Sequence, residues 1–149
     1  MSALWVVIPA AGGGKRFGAA TPKQYQTLLG KTVLEQTVAR FSQRSDVAGI
    51  VIPVASDDTL IKSLEMPANV HLVQGGKERS DSVLAALQFL TARVTDDVLV
   101  AVHDAARPCI RQSLLNRLFL AAQQSSSGVL PVIMARDTIK EVVNGTIVR

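Results

Sequence analysis

Residues 6–23 read VVIPAAGGGKRFGAATPK, an apolar run that breaks into glycines and then into Lys15, Arg16 and, after a Thr-Pro step, Lys23. The run Leu4–Pro9 predicts a strand covered on both faces, as in a parallel sheet. Glycines after it let main-chain N–H groups close around a ligand without interference from Cβ atoms. Three cations beside them select an anion, and phosphate is the common case. Phosphate loops sit at this position, directly after a strand. The dinucleotide fingerprint needs glycine at its first, third and sixth positions. Counted from Gly12, the sixth position is Phe17, and Gly18 comes one residue late. A P-loop needs Ser or Thr after Gly-Lys. Here Gly14-Lys15 is followed by Arg16, so the loop is of a third kind.

The rest of the chain fits one α/β domain. At 149 residues it is long enough to bury most of its apolar surface. Aromatics make up 4% against 48% hydrophobic residues, so the layers must be built from Val, Ile, Leu and Ala. A net charge of +4 without Lys/Arg runs or interleaved aromatics argues against a nucleic-acid partner and suits a phosphorylated small molecule. The single cysteine, Cys109, excludes an internal disulfide and reads as a reduced, semi-buried thiol. No apolar run reaches membrane-spanning length and no secretory leader pattern is evident, so a cytoplasmic protein without membrane partners is expected.

Strand and helix patterns alternate along the chain. Thr32 and Glu35 form a capping box for a helix burying Leu34, Val38 and Phe41. Gly49–Val54 predicts a strand. Ser56-Asp57-Asp58 predicts the cap of a short helix carrying Leu60, Ile61 and Leu64. Val70–Val73 predicts a third strand, followed by a helix over 78–92 with Val83, Leu84, Leu87 and Leu90 as its apolar face. Val98–Val102 and Gly128–Met134 read as further strands, around a helix over 113–124 that turns Leu114, Leu115, Leu118, Phe119 and Ala122 inward. The alternation predicts a doubly wound, mostly parallel sheet. The last stretch, Ile139–Val148, alternates around Asn144-Gly145, a strong hairpin signal. A bare two-strand ribbon is marginal, so it should pack on a partner chain or on its own sheet.

In open α/β sheets ligands bind beyond the carboxyl ends of strands, and three polar clusters fall there. Gly75-Gly76-Lys77-Glu78-Arg79-Ser80-Asp81-Ser82 serves equally as a ligand loop or as a turn whose polar residues cap a helix. His103-Asp104-Ala105-Ala106-Arg107-Pro108 offers a carboxylate suited to Mg²⁺ and a guanidinium suited to phosphate. Its His103 reads as structural. Arg136-Asp137-Thr138-Ile139-Lys140, on its own, is an ordinary charged turn.

Taken in order, PAAGGGKRF, PKQY, GGKERSDSV, VHDAARP and ARDTIK closely resemble the 2-C-methyl-D-erythritol 4-phosphate cytidylyltransferases, from Trp5 to Arg149. These enzymes join CTP to a sugar-alcohol phosphate and release pyrophosphate. The resemblance implies a Rossmann-like nucleotidyltransferase fold, with residues 1–138 as the nucleotide-binding domain and 139–149 as a β-hairpin arm. It implies that Pro9, Ala10, Ala11 and Gly12 line the nucleotide through main chain. Arg16 and Lys23 are the implied catalytic cations at the α-phosphate. Gly76, Lys77, Ser82 and Ala105 are implied at the nucleotide, although Lys77 stands where relatives often carry an acidic residue. Asp104 is implied to serve Mg²⁺ and, with Arg107 and Thr138, the sugar-alcohol phosphate. The arm is implied to wrap the other subunit of a homodimer. Family members continue beyond the position of Arg149 with a lysine that completes the site, so a chain truncated there is expected to fall short of full turnover. The alternatives are a ribitol-phosphate cytidylyltransferase and a nucleotide-binding or dimerising module without catalysis.

Overall fold

A computed structural model describes residues 3–12, 21–94, 98–134 and 140–148. In chain order its elements begin with β1 (Leu4–Val7), β2 (Thr27–Leu28), β3 (Lys31–Thr32), α1 (Val33–Ser42), β4 (Val47–Val54) and β5 (Val70–Gln74). They continue with α2 (Arg79–Thr91), β6 (Leu99–Val102), α3 (Gln112–Gln123), β7 (Val142–Val143) and β8 (Thr146–Ile147).

The opening apolar run becomes an interior strand because both of its faces are covered. The central sheet runs β5-β4-β1-β6 with every pair parallel. Side chains alternate across it with the strand period of two. Val6, Ile8, Ile50 and Ile52 face α1 and α3, where Leu34, Val38, Phe41, Leu115 and Phe119 are buried. Val7 and Val51 face α2, against Ala86 and Leu90. Helices therefore cover both faces, the doubly wound arrangement the alternation predicts. Trp5 lies flat over Gly49, where an added Cβ would come within 2.3 Å of a ring carbon.

The Thr32 capping box forms as read: Glu35 N–H donates to the Thr32 hydroxyl at 3.2 Å, and the Glu35 carboxylate accepts from Thr32 N–H at 2.7 Å. Asp58 caps a 3-10 turn, Leu60–Ser63, by accepting from Leu60 N–H and Ile61 N–H. Asn144 and Gly145 both take positive φ, 50° and 78°, as a tight hairpin turn between β7 and β8 requires. Residues 140–148 are exposed throughout, so the ribbon does not lie on its own sheet.

Three expectations need correction, and one element was not expected. Gly128–Met134 is not a strand: it forms no ladder among the described residues, and Leu130, Val132, Ile133 and Met134 are all exposed. Local β-propensity cannot make a strand without a partner edge. Leu84 and Leu87 of α2 also face solvent, while Ser82 and Ala86 are buried. Small side chains let this helix sit close to β4 and β5, and close approach outranked bulk in setting its rotation. Cys109 is exposed rather than semi-buried. Finally, β2 and β3 form a small antiparallel hairpin turning at Leu29 and Gly30, which the sequence reading does not contain.

Candidate active site

The chain runs from β1 outward through β4 to β5, then returns to place β6 on the other side of β1. The order reverses between β1 and β6, and a crevice opens beyond the carboxyl ends of strands at such a reversal. Three loops leave the sheet there: Ile8–Gly12 after β1, Gly75–Glu78 after β5, and His103–Pro108 after β6.

The β1 loop starts as a continuation of the ladder. Ile8 N–H donates to Val51 and Ala10 N–H to Pro53, at 2.9 and 2.8 Å. The Ala10 carbonyl accepts from the Gln24 side chain at 2.9 Å. Both main-chain groups of Ala10 thus have partners within the protein. Pro9 and Ala11 are half-buried and Gly12 is exposed, with nothing within 4 Å of where a Cβ would stand. A ligand can approach the backbone at Gly12.

The β5 loop packs directly on the β1 loop. A Cβ on Gly75 would meet the Ala11 Cβ at 2.7 Å and the Ser82 hydroxyl at 2.9 Å. Only glycine permits that approach. Gly76 N–H donates to the Ser82 hydroxyl at 3.2 Å, and that hydroxyl lies 3.1 Å from the Glu78 carbonyl. Ser82 is 2% exposed. Its hydroxyl shapes the loop, and a contact with a base requires one of these bonds to be exchanged. Asp81 accepts from Glu78 N–H at 3.0 Å, so the turn is a helix cap as well as a loop facing the crevice. Lys77 is exposed beside it.

The β6 loop carries the charge. Asp104 accepts from Arg79 at 2.9 Å on one oxygen and from Arg107 at 2.9 Å on the other. All three are solvent-accessible, with the Arg107 side chain 75% exposed. Ala105 is buried, and its carbonyl lies 2.9 Å from the hydroxyl of Thr37, a fully buried residue of α1. The His103 ring stands edge-on to Phe41, and its Nε2 is 2.9 Å from the Arg107 carbonyl. That is the structural part the sequence assigns to it.

Lys23 is exposed and opens a 3-10 turn, Lys23–Tyr25, directly across from the β1 loop. The Tyr25 hydroxyl donates to Asp58. Burial, then the hydrogen bond and charge of Asp58, push the phenol pKa well up, so the ring stays neutral. A cleft of about 220 Å³ lies between this turn, the β1 loop and Ala55–Leu60. A larger hollow of about 500 Å³ opens at the opposite, amino end of the sheet, around Leu4, Leu99 and Arg44. Its Arg44 is spent on Asp46, Gln112 and Asn116, so it offers no free anion-binding group there.

Arg16 and Thr138 lie outside the described residues. Of the remaining expected residues, the structure brings Ala11, Gly12, Gly76 and Ser82 together, with Asp104, Ala105 and Arg107 on the next loop. As a metal centre the set fits poorly. Both Asp104 oxygens are already bonded to guanidinium groups, and no group of three His, Cys, Asp or Glu assembles among the described residues. Sequence reasoning missed Gln24, Thr37 and Arg79. Gln24 lay inside the quoted PKQY, but nothing in a lone glutamine marks it as buried.

The family model of 2-C-methyl-D-erythritol 4-phosphate cytidylyltransferase (IspD) matches residues 4–149. A protein of that name from Acinetobacter baylyi is 43% identical over 143 residues, covering 95% of this chain and 59% of its own length. One from Pseudomonas entomophila is 42% identical, covering 94% and 61%. Among solved structures, the Francisella tularensis protein of the same name superposes with a TM-score of 0.79 at 31% identity, covering 99% of this chain and 64% of that one. A 4-diphosphocytidyl-2C-methyl-D-erythritol synthase superposes with a TM-score of 0.81 at 26% identity, covering 99% and 67%. The chain thus spans about three-fifths of the length of the curated relatives it matches.

Proposed function

We propose, because this chain belongs to the 2-C-methyl-D-erythritol 4-phosphate cytidylyltransferase family, that it carries the CTP-binding and CMP-transferring part of such an enzyme. The acceptor is 2-C-methyl-D-erythritol 4-phosphate, and the step belongs to isoprenoid biosynthesis. A phosphate oxygen of the acceptor attacks the α-phosphorus of CTP in line. A new P–O bond forms, the bond to the bridging oxygen breaks, and pyrophosphate leaves. The attacking phosphate is already ionised, so no general base is needed.

Two polyanions must meet, and negative charge spreads over the transferring group. Preorganised cations offset it where water is partly excluded. Arg16 and Lys23 take this role at the α-phosphate. Gly76, Lys77 and Ser82 form the cytosine side through the shape of their loop. Arg107 and Thr138 hold the acceptor phosphate, with Asp104 aligning Arg107. Mg²⁺, if carried by the triphosphate, would lower its charge as a counter-ion. The protein works in the cytoplasm as a homodimer joined through the 142–147 ribbon. Among the described residues, no helix is long and apolar enough to cross a membrane.

The observation that carries this reading is the convergence of three loops at the β1–β6 reversal, with Gly75 pressed on Ala11 and the Lys23 turn hydrogen-bonded to the β1 loop. The test is pyrophosphate release from CTP and Mg²⁺ with 2-C-methyl-D-erythritol 4-phosphate, and with ribitol 5-phosphate as the competing acceptor, alongside calorimetric titration of CTP. Saturable CTP binding and release with the first acceptor alone are expected. Preference for ribitol 5-phosphate, or no binding of CTP, defeats the reading.

A further inference from the structure

Among the described residues only Gln24, Thr37 and Ser82 are buried polar side chains, and each bonds to a loop of the proposed site. Ser82 and Thr37 each hold a single loop on the β5 or β6 side. Gln24 does more. It is 7% exposed, and its Nε2 donates to the Ala10 carbonyl at 2.9 Å and to the Gly12 carbonyl at 3.2 Å. Both partners are acceptors, so only the NH₂ end of the carboxamide can satisfy them. Two bonds from one group fix the bend between residues 10 and 12.

We propose that Gln24 is a positioning residue for the nucleotide, acting through the β1 loop, and this rests on the CTP reading above. It draws two carbonyl dipoles into the protein, away from any approaching polyanion. In a trans peptide the N–H points opposite to the C=O, so holding the Ala10 carbonyl inward turns Ala11 N–H away from Gln24. Gln24 also follows Lys23 directly in the chain, so the same bonds tie that cation's backbone to the loop. The turn carrying both is itself anchored. Tyr25 N–H donates to Pro22 at 2.9 Å and Gln26 N–H to Lys23 at 3.2 Å. Tyr25 is fastened to Asp58, which caps the next turn. Loop and cation thus form one rigid unit before a nucleotide arrives, which lowers the cost of ordering them on binding.

The test uses Gln24→Leu and Gln24→Glu in the full chain, with calorimetric titration of CTP and hydrogen exchange of the loop amides without ligand. Gln24→Leu is expected to weaken CTP binding at least tenfold and to speed exchange at Ala10, whose N–H is bonded to the Pro53 carbonyl, with the melting curve still cooperative. Gln24→Glu sets a carboxylate against two carbonyls, and its protonated form regains one donor. Its deficit against the unsubstituted protein should therefore shrink from pH 8 to pH 5.5, which a purely structural role does not predict. Should Gln24→Leu fail to fold, that pH-dependent ratio decides alone. Unchanged affinity and exchange in Gln24→Leu, or a pH-independent deficit in Gln24→Glu, overturns the inference while leaving CTP binding intact. An unsubstituted chain that ignores CTP overturns the functional reading itself, and exchange then still reports whether Gln24 holds the loop.

Discussion

The β1 flank of the site and the β6 flank are held by different forces. On the β1 flank a buried, neutral carboxamide captures two carbonyls, and Gly75 is pressed against Ala11. On the β6 flank Asp104 is gripped by two exposed guanidiniums, Arg79 and Arg107. Buried neutral bonds do not weaken with salt, and losing one leaves an acceptor unsatisfied. Exposed ion pairs are screened, contribute little and rearrange easily. The first arrangement suits a fixed cradle. The second suits cations that must change partner when an anionic ligand arrives. Among the described residues, only Thr37, reaching from α1 to the Ala105 carbonyl, brings the first kind of restraint to the β6 side.

The comparison breaks if the chemistry does not belong to the β1 flank. In the complete protein, Lys23→Ala and Arg16→Ala are each expected to lower kcat by about 10²–10³-fold, with a far smaller change in CTP affinity. Steady-state kinetics with a CTP titration check this, and equal loss in both quantities moves these cations out of the transition state. Thr37→Val is expected to cost about 1–2 kcal/mol in urea denaturation, with Thr37→Ser recovering most of it. No difference between the two means that neither the Ala105 carbonyl nor the Val33 carbonyl, 2.8 Å from the same hydroxyl, needs that donor.

Alkaline pH sharpens the β1 side. The folded-state pKa of Tyr25 is raised above its unfolded value, so its stabilising share is complete below about pH 10. Above that the unfolded chain sheds the phenol proton first, and stability falls by up to about 1.4 kcal/mol per pH unit. Tyr25→Phe should lose this component, so its stability declines less steeply over the same range. Identical slopes contradict the buried phenol. The smallest effect is expected on the β6 flank. A double-mutant cycle between Arg79→Gln and Asp104→Asn should give a coupling of about 0.2–1 kcal/mol that fades with added salt. Strong, salt-resistant coupling erases the contrast between the flanks.

Much of the scaffold was legible because its signals are local. The Thr32–Glu35 box, the Asn144-Gly145 turn and the unbroken burial of Val6 to Ile8 each depend on neighbours in sequence. The α2 face was misjudged because a helix's rotation depends on what lies beneath it. There Ser82 and Ala86 won their places by being small. The run Gly128–Met134 has strand chemistry, but pairing is a property of two segments. The site was legible as motifs and as charges, since glycine bends and cation spacing are also local. Its restraints were not, because a glutamine, a threonine and an arginine look like surface residues until the fold brings them to their partners.

By itself, then, the sequence determined the alternation of the four central strands with their helices, the cationic bend after the first strand and the family to which the chain belongs. Local stereochemistry and the solvation of apolar runs suffice for that. Tertiary structure decided which polar groups are hidden and what they hold: Gln24 on Ala10 and Gly12, Thr37 on Ala105, Arg79 on Asp104. Those contacts join residues 12, 14, 68 and 25 positions apart. A hydrogen bond between distant residues exists only once packing has excluded the water that would otherwise take its place.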